Sequence, residues 1–394
     1  MKKILLFFIT FFMLSFIGTS KVQDNFKQRN LEEALNPDGT LKRGVQGSFN
    51  VEEYQMCKGK NGEPIFLSQT QRIVSGSWDP QFGLPVQGVA GEVYAMVNDG
   101  QGNVYVGGSF GAVGGLSPGV NNIARYNKST NSWSTLGIGD QNGVNSKVHV
   151  LAIDGTGCVY VGGEFTQAGG VSANYVARYD PVANSWSALG TGSQNGVSGG
   201  YMNCVYALAI DDSGRVYLGG DFTQAGGVSA KNVARYDPVA NSWSVLGTGS
   251  QNGVNSYVDD LTVDGQGNVY VGGWFTTAGE VSANRVARYN VSTNSWSSLG
   301  SGAQNGVNWY VESLAVDGQG NVYVGGWFTT AGGASANGVA CYNVATNGWS
   351  SLGASSSNGV NGIVRALALD GQGNVYVGGW FTTAGGASAN GVAC

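Results

Sequence analysis

Short runs of alternating apolar and polar residues, separated by turn signals, fill the chain from residue 72 to residue 394. In one stretch KVHVLAID (147–154) alternates, the turn GTG follows, and CVYVGGEF (158–165) reads as a second strand. After the longer loop TQAGGVSAN come YVARYD (175–180) and WSALG (186–190). Alternation with a period of two residues is typical of strands with one buried face. The pattern therefore predicts four short antiparallel strands within this stretch.

The same pattern recurs along the chain. The tyrosines of a repeated VY doublet are spaced by 55, 57, 53, 53 and 53 residues; they are Tyr105, Tyr160, Tyr217, Tyr270, Tyr323 and Tyr376. Four strands in about 53 residues correspond to one blade of a β-propeller. We therefore predict an all-β propeller, with five complete blades from residue 93 to about residue 363 and a sixth, partial blade after them.

Three recurring features suit the parts of a blade. An aspartate lies six residues before each VY tyrosine, as Asp264 does before Tyr270, and an acceptor followed by glycine favours a hairpin turn. A glycine pair such as Gly272 and Gly273 removes side chains where neighbouring blades must approach closely. The phenylalanine that follows each pair, the tyrosine of strand three and the tryptophan of strand four are expected to supply the core.

The repeat resembles the kelch repeat. The resemblance depends on the glycine doublet that ends strand two, the YD or YN of strand three, and a tryptophan seven residues later, as in Tyr179 to Trp186. The additional FTTAGG-SAN-VARY element is similar to the propeller repeats of fungal cortical polarity markers and of exported bacterial surface proteins. The resemblance covers about residues 72–394 and implies the fold, but not one function, because propellers host unrelated activities.

Both ends of the repeat region bear on closure of the ring. Trp78 lies 21 residues before Asp99, the spacing that Trp243 and Trp296 have from the next turn aspartate. A lone strand around Trp78 is therefore expected to complete the partial last blade. The segment Asp370–Cys394 repeats Asp317–Cys341 residue for residue and stops within strand three, so we interpret the sequence as cut from a longer gene.

The first 71 residues lie outside the repeat. Residues 1–20 place two lysines before an apolar run and small residues, which predicts a secretory signal peptide; an uncleaved membrane anchor is the alternative. Residues 21–71 are interpreted as a linker with a small hairpin around Asn61 and Gly62. No later segment is apolar enough to cross a bilayer, so we expect an exported chain, secreted or at the cell surface, that is monomeric.

Composition and cysteine positions argue against nucleic-acid binding and against disulfide bonds between repeats. The net charge of −5 comes with no basic stripe, which argues against nucleic acid. Cys341 and Cys394 occupy the same position in successive repeats, and Cys158 and Cys204 begin different strands, so these four are expected to be unpaired. The pairing of Cys57 is left open.

Familiar catalytic and metal motifs are weak in this chain. The single histidine, His149, excludes sites built from several histidines and is interpreted as an ordinary strand residue. GGSFG (107–111) matches a nucleophile motif but has no following helix. DGQGN (264–268) resembles a calcium loop, but Val269 and Phe275 stand where glycine and glutamate are needed, so a plain hairpin turn is favoured. We predict no cofactor and no metal.

The best candidate for function is a variable position, the residue after the glycine pair. It is Ser109, Glu164, Asp221, Trp274, Trp327 and Trp380 through the six repeats. We predict a ligand-binding surface formed by Trp274, Trp327, Trp380, Glu164 and Asp221, which takes a glycan or a protein. The alternative for each side chain is that it fills space between blades. The function predicted is a non-enzymatic binding or scaffold module; a polysaccharide-degrading propeller, using Glu164 and Asp221, is the alternative.

Overall fold

The computed structural model describes residues 29–30, 49–50, 54–58, 64–68, 88–116, 119–354 and 357–394. The chain divides into two compact units, Met1–Pro80 and Gln81–Cys394. In the first unit Arg29–Asn30 pairs in parallel with Phe49–Asn50, and Tyr54–Lys58 pairs antiparallel with Pro64–Ser68 on either side of Asn61 and Gly62. The predicted signal peptide and the strand around Trp78 lie outside the described residues.

The second unit consists of antiparallel sheets, here called sheets 1 to 6 in chain order, five with four strands and the last with three. First strands are Val89–Asn98, Val148–Ile153, Cys204–Ile210, Val258–Val263, Val311–Val316 and Ile363–Leu369. Second strands are Asn103–Val113, Val159–Gly163, Val216–Asp221, Asn268–Gly273, Val322–Gly326 and Val375–Trp380. Third strands are Ile123–Asn127, Val176–Asp180, Val233–Asp237, Val286–Asn290, Val339–Asn343 and Val392–Ala393. Fourth strands are Ser132–Thr135, Ser185–Ala188, Ser242–Val245, Ser295–Ser298 and Gly348–Ser351.

Smaller elements lie in the loops between strands two and three and between sheets. Two-residue hairpins join Gln167–Ala168 to Val171–Ser172, Gln224–Ala225 to Val228–Ser229, Thr277–Ala278 to Val281–Ser282, Thr330–Ala331 to Ala334–Ser335, and Thr383–Ala384 to Ala387–Ser388. Val197–Ser198 adds a third strand to the second of these hairpins. Short 3-10 helices span Gly139–Gln141, Gly192–Gln194, Gly249–Gln251 and Gly302–Gln304. The sequence pattern indicated only a loop where these hairpins form.

The first strand of each sheet lies against the first strand of the next, from sheet 1 through to sheet 6. This contact places all six first strands at the inner side of the unit, while the fourth strands lie at its outer side. Within the described residues no sheet closes on itself, and the total number of blades and the closure of the ring remain predictions.

The core lies between successive sheets. The VY tyrosine of one sheet packs with the valines, leucine and phenylalanine of the next, as Tyr270 does with Val311 and Phe328, and it is fully buried in sheets 1 to 4. The strand-four tryptophan adds a hydrogen bond across the same boundary: Trp296 Nε1 donates to the Leu246 carbonyl of the preceding sheet at 3.0 Å. The same bond recurs at Trp186, Trp243 and Trp349.

The turn aspartates and the glycine pairs behave as predicted. Asp264 Oδ1 accepts the backbone N–H groups of Gln266 and Asn268, which fixes the hairpin between strands one and two. A Cβ atom on Gly272 would lie 2.4 Å from Val311 Cγ1 of the next sheet, so the missing side chain permits the close approach. Cys158, Cys204, Cys341 and Cys394 are all unpaired, as the sequence indicated.

Candidate functional site

The predicted ligand-binding residues lie at one end of the sheets, where strand two ends beside the start of strand one. Asp221 is the cross-strand partner of Cys204, and Trp380 is that of Ile363. Antiparallel topology puts the loops after strands two and four at this end and the hairpin turns at the opposite end. The three tryptophans are 42%, 55% and 69% exposed at Trp274, Trp327 and Trp380, and we call them the aromatic surface.

A second set of variable residues, which the sequence reasoning missed, lies beside them on the first strands. Each is the extra residue of a β-bulge, because the strand register skips it. Each also lies five residues before its turn aspartate. A bulge turns a side chain out of the regular alternation. We call this set the inner ring, which is Tyr94, His149, Tyr206, Asp259, Glu312 and Arg365.

Three pairs of successive inner-ring residues contact each other. The His149 ring centroid lies 5.4 Å from that of Tyr94 and 5.2 Å from that of Tyr206. Arg365 Nη1 lies 2.9 Å from Glu312 Oε2. The six bulges thus place polar side chains at the same end of the sheets, whereas the valine before the bulge is buried in sheets 2 to 6.

On sheets 2 and 3, the inner ring and the residues beside it bring together an imidazole, a carboxylate and a thiol. His149 Nε2 lies 3.0 Å from Glu164 Oε1, and Lys147 Nζ lies 3.5 Å from Glu164 Oε2. The Cys204 sulfur is within 4.8 Å of the nearest ligand atoms of His149 and Glu164. Burial and, to a smaller extent, the nearby Glu164 carboxylate together raise the pKa of the Cys204 thiol to about 12. Burial likewise raises the pKa of Tyr206.

The half of the ring on sheets 4 to 6 combines carboxylates with aromatic rings. Burial raises the pKa of Asp259 to about 7, and the carboxylates of Glu312 and Asp260 add to this effect. Trp274 stacks on Tyr310 with ring centroids 3.5 Å apart and an interplanar angle of 11°. This half therefore presents flat apolar faces beside groups that form hydrogen bonds.

The aromatic surface lies beside this half of the ring. The Arg365 guanidinium lies over the Trp380 ring, 4.3 Å from its centroid. The side chain of Trp274 acts on the carboxyl of Asp259 and lowers its pKa slightly against the larger effect of burial. The variable residue after the glycine pair and the variable residue of the bulge therefore meet on the same sheet.

The remaining predicted site residues have different environments. Glu164 contacts His149 and Lys147, as described above. Asp221 is buried, and its Oδ2 atom accepts the Met202 backbone N–H at 2.5 Å, so its carboxylate holds the loop that enters sheet 3. Ser109, from the GGSFG motif, lies inside the strand Asn103–Val113 rather than at a turn into a helix.

A large cavity lies at the opposite end of the sheets. Its volume is about 920 Å³, and hairpin-turn residues of sheets 2 and 3 line it, among them Asp154 and Asp211. Arg178 of strand three lies at its wall. Smaller cavities recur beside Arg235 and Arg288, the equivalent arginines of the next sheets. Such recurrence is typical of spaces left by packing of similar blades, so this end is a weaker candidate than the inner ring.

A family model described as a β-propeller domain of unknown function, DUF5122, matches four segments of the chain: residues 156–182, 212–239, 267–292 and 320–344. Each segment begins at a hairpin turn and runs through strands two and three. Together with the sheet arrangement, this match identifies the fold as a β-propeller. No curated protein matches the sequence.

Solved structures similar to this chain include extracellular and secretion-related proteins and an enzyme. The extracellular domain of a putative hybrid two component system from B. thetaiotaomicron is 18% identical over 74% of this chain and 32% of that chain, with a TM-score of 0.47. PorZ, a surface component of the type-IX secretion system of Porphyromonas gingivalis, is 17% identical over 75% and 40%, with a TM-score of 0.46. Virginiamycin B lyase from Staphylococcus aureus is 8% identical over 74% and 78%, with a TM-score of 0.45. This chain thus spans less than half the length of the first two proteins.

Proposed function

We propose that this chain is an exported β-propeller that binds a glycan, without catalysis, on the aromatic surface. The observation that carries the proposal is the exposure of Trp274, Trp327 and Trp380 on three successive sheets, beside the inner ring. Exposed aromatic side chains of this size are rare on a surface that binds nothing, and they offer flat faces for the C–H faces of sugar rings.

The polar groups beside these rings suit a sugar better than an apolar peptide. Asp259, Glu312 and Arg365 lie at the same end and offer both acceptors and donors for hydroxyl groups. A few polar groups that fix orientation beside apolar faces are typical of small-molecule and sugar sites. A protein ligand remains the alternative within the binding class.

Export is supported by the two lysines and the apolar run of residues 1–20. Among the described residues, no helix has the length and apolar character that a membrane crossing requires. We also propose that the repeat is of the kelch type, and the pairing of Tyr289 with Trp296 across strands three and four, at the kelch spacing, supports this. The module is proposed to act as a monomer.

The test is glycan-array capture by the full chain and by single alanine variants of the three tryptophans. We expect Trp274→Ala and Trp327→Ala each to weaken capture at least tenfold, about 1.4 kcal/mol, since stacking on one ring contributes on the order of 1 kcal/mol or more. Tyr376→Ala is the matched control, because Tyr376 is 43% exposed but belongs to the VY doublet in the middle of its strand. Equal capture by all variants, or capture of proteins alone, would contradict the proposal.

An enzyme acting on polysaccharide is the second candidate, and one observation favours it. Asp259 has a pKa raised to about 7 beside a second carboxylate, Glu312, and a carboxyl that keeps its proton near neutral pH can serve as a general acid. Under this candidate Asp259 and Glu312 replace Glu164 and Asp221 as the active pair. Release of new reducing ends from a captured polysaccharide, abolished by Asp259→Asn, would establish it over simple binding.

A further inference from the structure

The cluster of His149, Glu164 and Cys204 combines three chemically different metal ligands from two sheets. His149 is on the first strand of sheet 2, Glu164 follows its second strand, and Cys204 begins the first strand of sheet 3. Their nearest ligand atoms, one from each residue, all lie within 4.8 Å of one another. The cluster thus forms where two sheets meet, because His149 and Cys204 are 55 positions apart in sequence.

The ligand set and its dimensions fit Zn²⁺. Zinc is bound tetrahedrally by imidazole nitrogen, thiolate sulfur and carboxylate oxygen, whose atoms are then about 3.3 to 3.6 Å apart. His149 Nε2 and Glu164 Oε1 are already 3.0 Å apart. A modest side-chain adjustment would therefore bring all three atoms to bonding distance.

Neighbouring groups hold two of the ligands in place. The imidazole of His149 lies between the rings of Tyr94 and Tyr206, which restricts its rotation. Lys147 contacts Oε2 of Glu164, which leaves Oε1 directed at His149. Groups that orient metal ligands in this way raise affinity by about 10- to 100-fold in known sites.

The repeat shows that this chemistry is specific to one place. The other five sheets have Glu92, Lys147, Tyr257, Tyr310 and Ile363 at the position of Cys204, and none of these is a thiol. His149 is the one histidine of the whole chain. The imidazole of His149 and the thiol of Cys204 thus occur on adjacent sheets, and both lie close to Glu164.

We propose that His149 Nε2, Glu164 Oε1 and Cys204 Sγ bind one Zn²⁺ ion, with the fourth position left to water or to a ligand of the propeller. Three protein ligands and an open position are the arrangement of reactive zinc sites. The proposal does not depend on glycan binding, because the aromatic surface lies on other sheets.

The test is metal binding by the full chain, prepared without a polyhistidine tag and stripped with a chelator. Co²⁺ is the probe, since a thiolate ligand gives a near-ultraviolet charge-transfer band and tetrahedral geometry gives intense visible bands; Zn²⁺ is then titrated to displace it. We expect about one equivalent bound, both sets of bands, and complete displacement by Zn²⁺.

Two variants and a matched control assign the ligands. Cys204→Ser is expected to abolish the charge-transfer band, and His149→Gln to lower affinity at least tenfold. Cys158→Ser is the control, because Cys158 is also a buried, unpaired thiol but lies outside the cluster. Circular dichroism and urea unfolding check that each variant folds. A chain that binds no Co²⁺, or a Cys204→Ser variant that keeps the band, overturns the proposal. A parent chain that binds Co²⁺ but captures no glycan would overturn only the proposed function.

Discussion

Alanine substitutions at the first glycine of two pairs can measure how closely neighbouring sheets pack. One glycine lies against a following sheet and the other does not, so the difference in unfolding free energy reports the packing between sheets. Gly272 has ordinary strand geometry, so alanine is compatible with its backbone. The added Cβ would lie 2.4 Å from Val311 Cγ1, 3.2 Å from Val311 Cβ and 3.3 Å from Leu314 Cδ1. Carbon atoms in contact prefer about 3.5 to 4.0 Å, and Val311 is fully buried with a stiff χ1. Sheets 4 and 5 must therefore move apart by about 1 Å at this point.

Gly378 is the matched control within the same chain. The sequence NVYVGGW surrounds both Gly272 and Gly378, and Gly378 also has ordinary strand geometry. No further sheet packs on sheet 6 in the described residues, and the nearest atom to a Cβ on Gly378 is Ala366 Cβ at 3.8 Å. Any difference between the two substitutions therefore measures packing of the next sheet.

The expected magnitudes follow from these distances. Overpacking of a buried contact costs about 1 to 3 kcal/mol, and replacing a strand glycine by alanine returns about 0.5 to 1 kcal/mol. We expect Gly272→Ala to lower the free energy of unfolding by about 1 to 2 kcal/mol and Gly378→Ala to leave it unchanged or to raise it by up to about 1 kcal/mol. Urea unfolding followed by tryptophan fluorescence measures both. Equal changes at the two positions would refute the close approach of sheets at the glycine pair.

Two other changes test the boundary between sheets and the inner ring. Trp296→Phe removes the donor to the Leu246 carbonyl and is expected to cost about 1 to 3 kcal/mol in urea unfolding; an unchanged stability of Trp296→Phe would contradict a role for that bond. Asp259 has a folded pKa of about 7, above its usual value, so the folded chain holds a proton that the unfolded chain releases between about pH 4 and pH 7. Stability contributed by this group is thus present at low pH and falls as the pH rises through that window. Asp259→Asn should remove this fall, on the order of 4 kcal/mol, in unfolding measured at both ends of the window.

The regular part of the fold could be predicted because the same residue pattern occurs in every repeat. The turn aspartate, the glycine pair and the strand-four tryptophan each recur at fixed spacing, and each has one physical role that its chemistry dictates. The same spacing predicted that Cys341 and Cys394 are unpaired, since equivalent positions of successive repeats lie on different sheets. The small hairpin beginning at Gln167 was missed because its two-residue strands are too short to show alternation.

The inner ring was missed for a different reason. A β-bulge adds one residue without changing residue types, so the alternation on either side of His149 looks regular in the sequence. Contact between His149 and Cys204 also depends on how two sheets pack, which no local pattern encodes. One signal was available: the position five residues before each turn aspartate differs in chemistry from sheet to sheet, apart from the two tyrosines, whereas the valine before it is kept in all six sheets.

The differences between repeats are concentrated at the inner ring. Residues 317–341 and 370–394 are identical, so strands two of sheets 5 and 6 present the same side chains. Their first strands nevertheless differ at the inner ring, where Glu312 and Arg365 form an ion pair. The chain thus keeps the same second strand in both sheets while placing opposite charges at the bulges of their first strands. The residues that vary are those that the fold gathers at the inner ends of the sheets, and this is where a ligand would contact several blades at once.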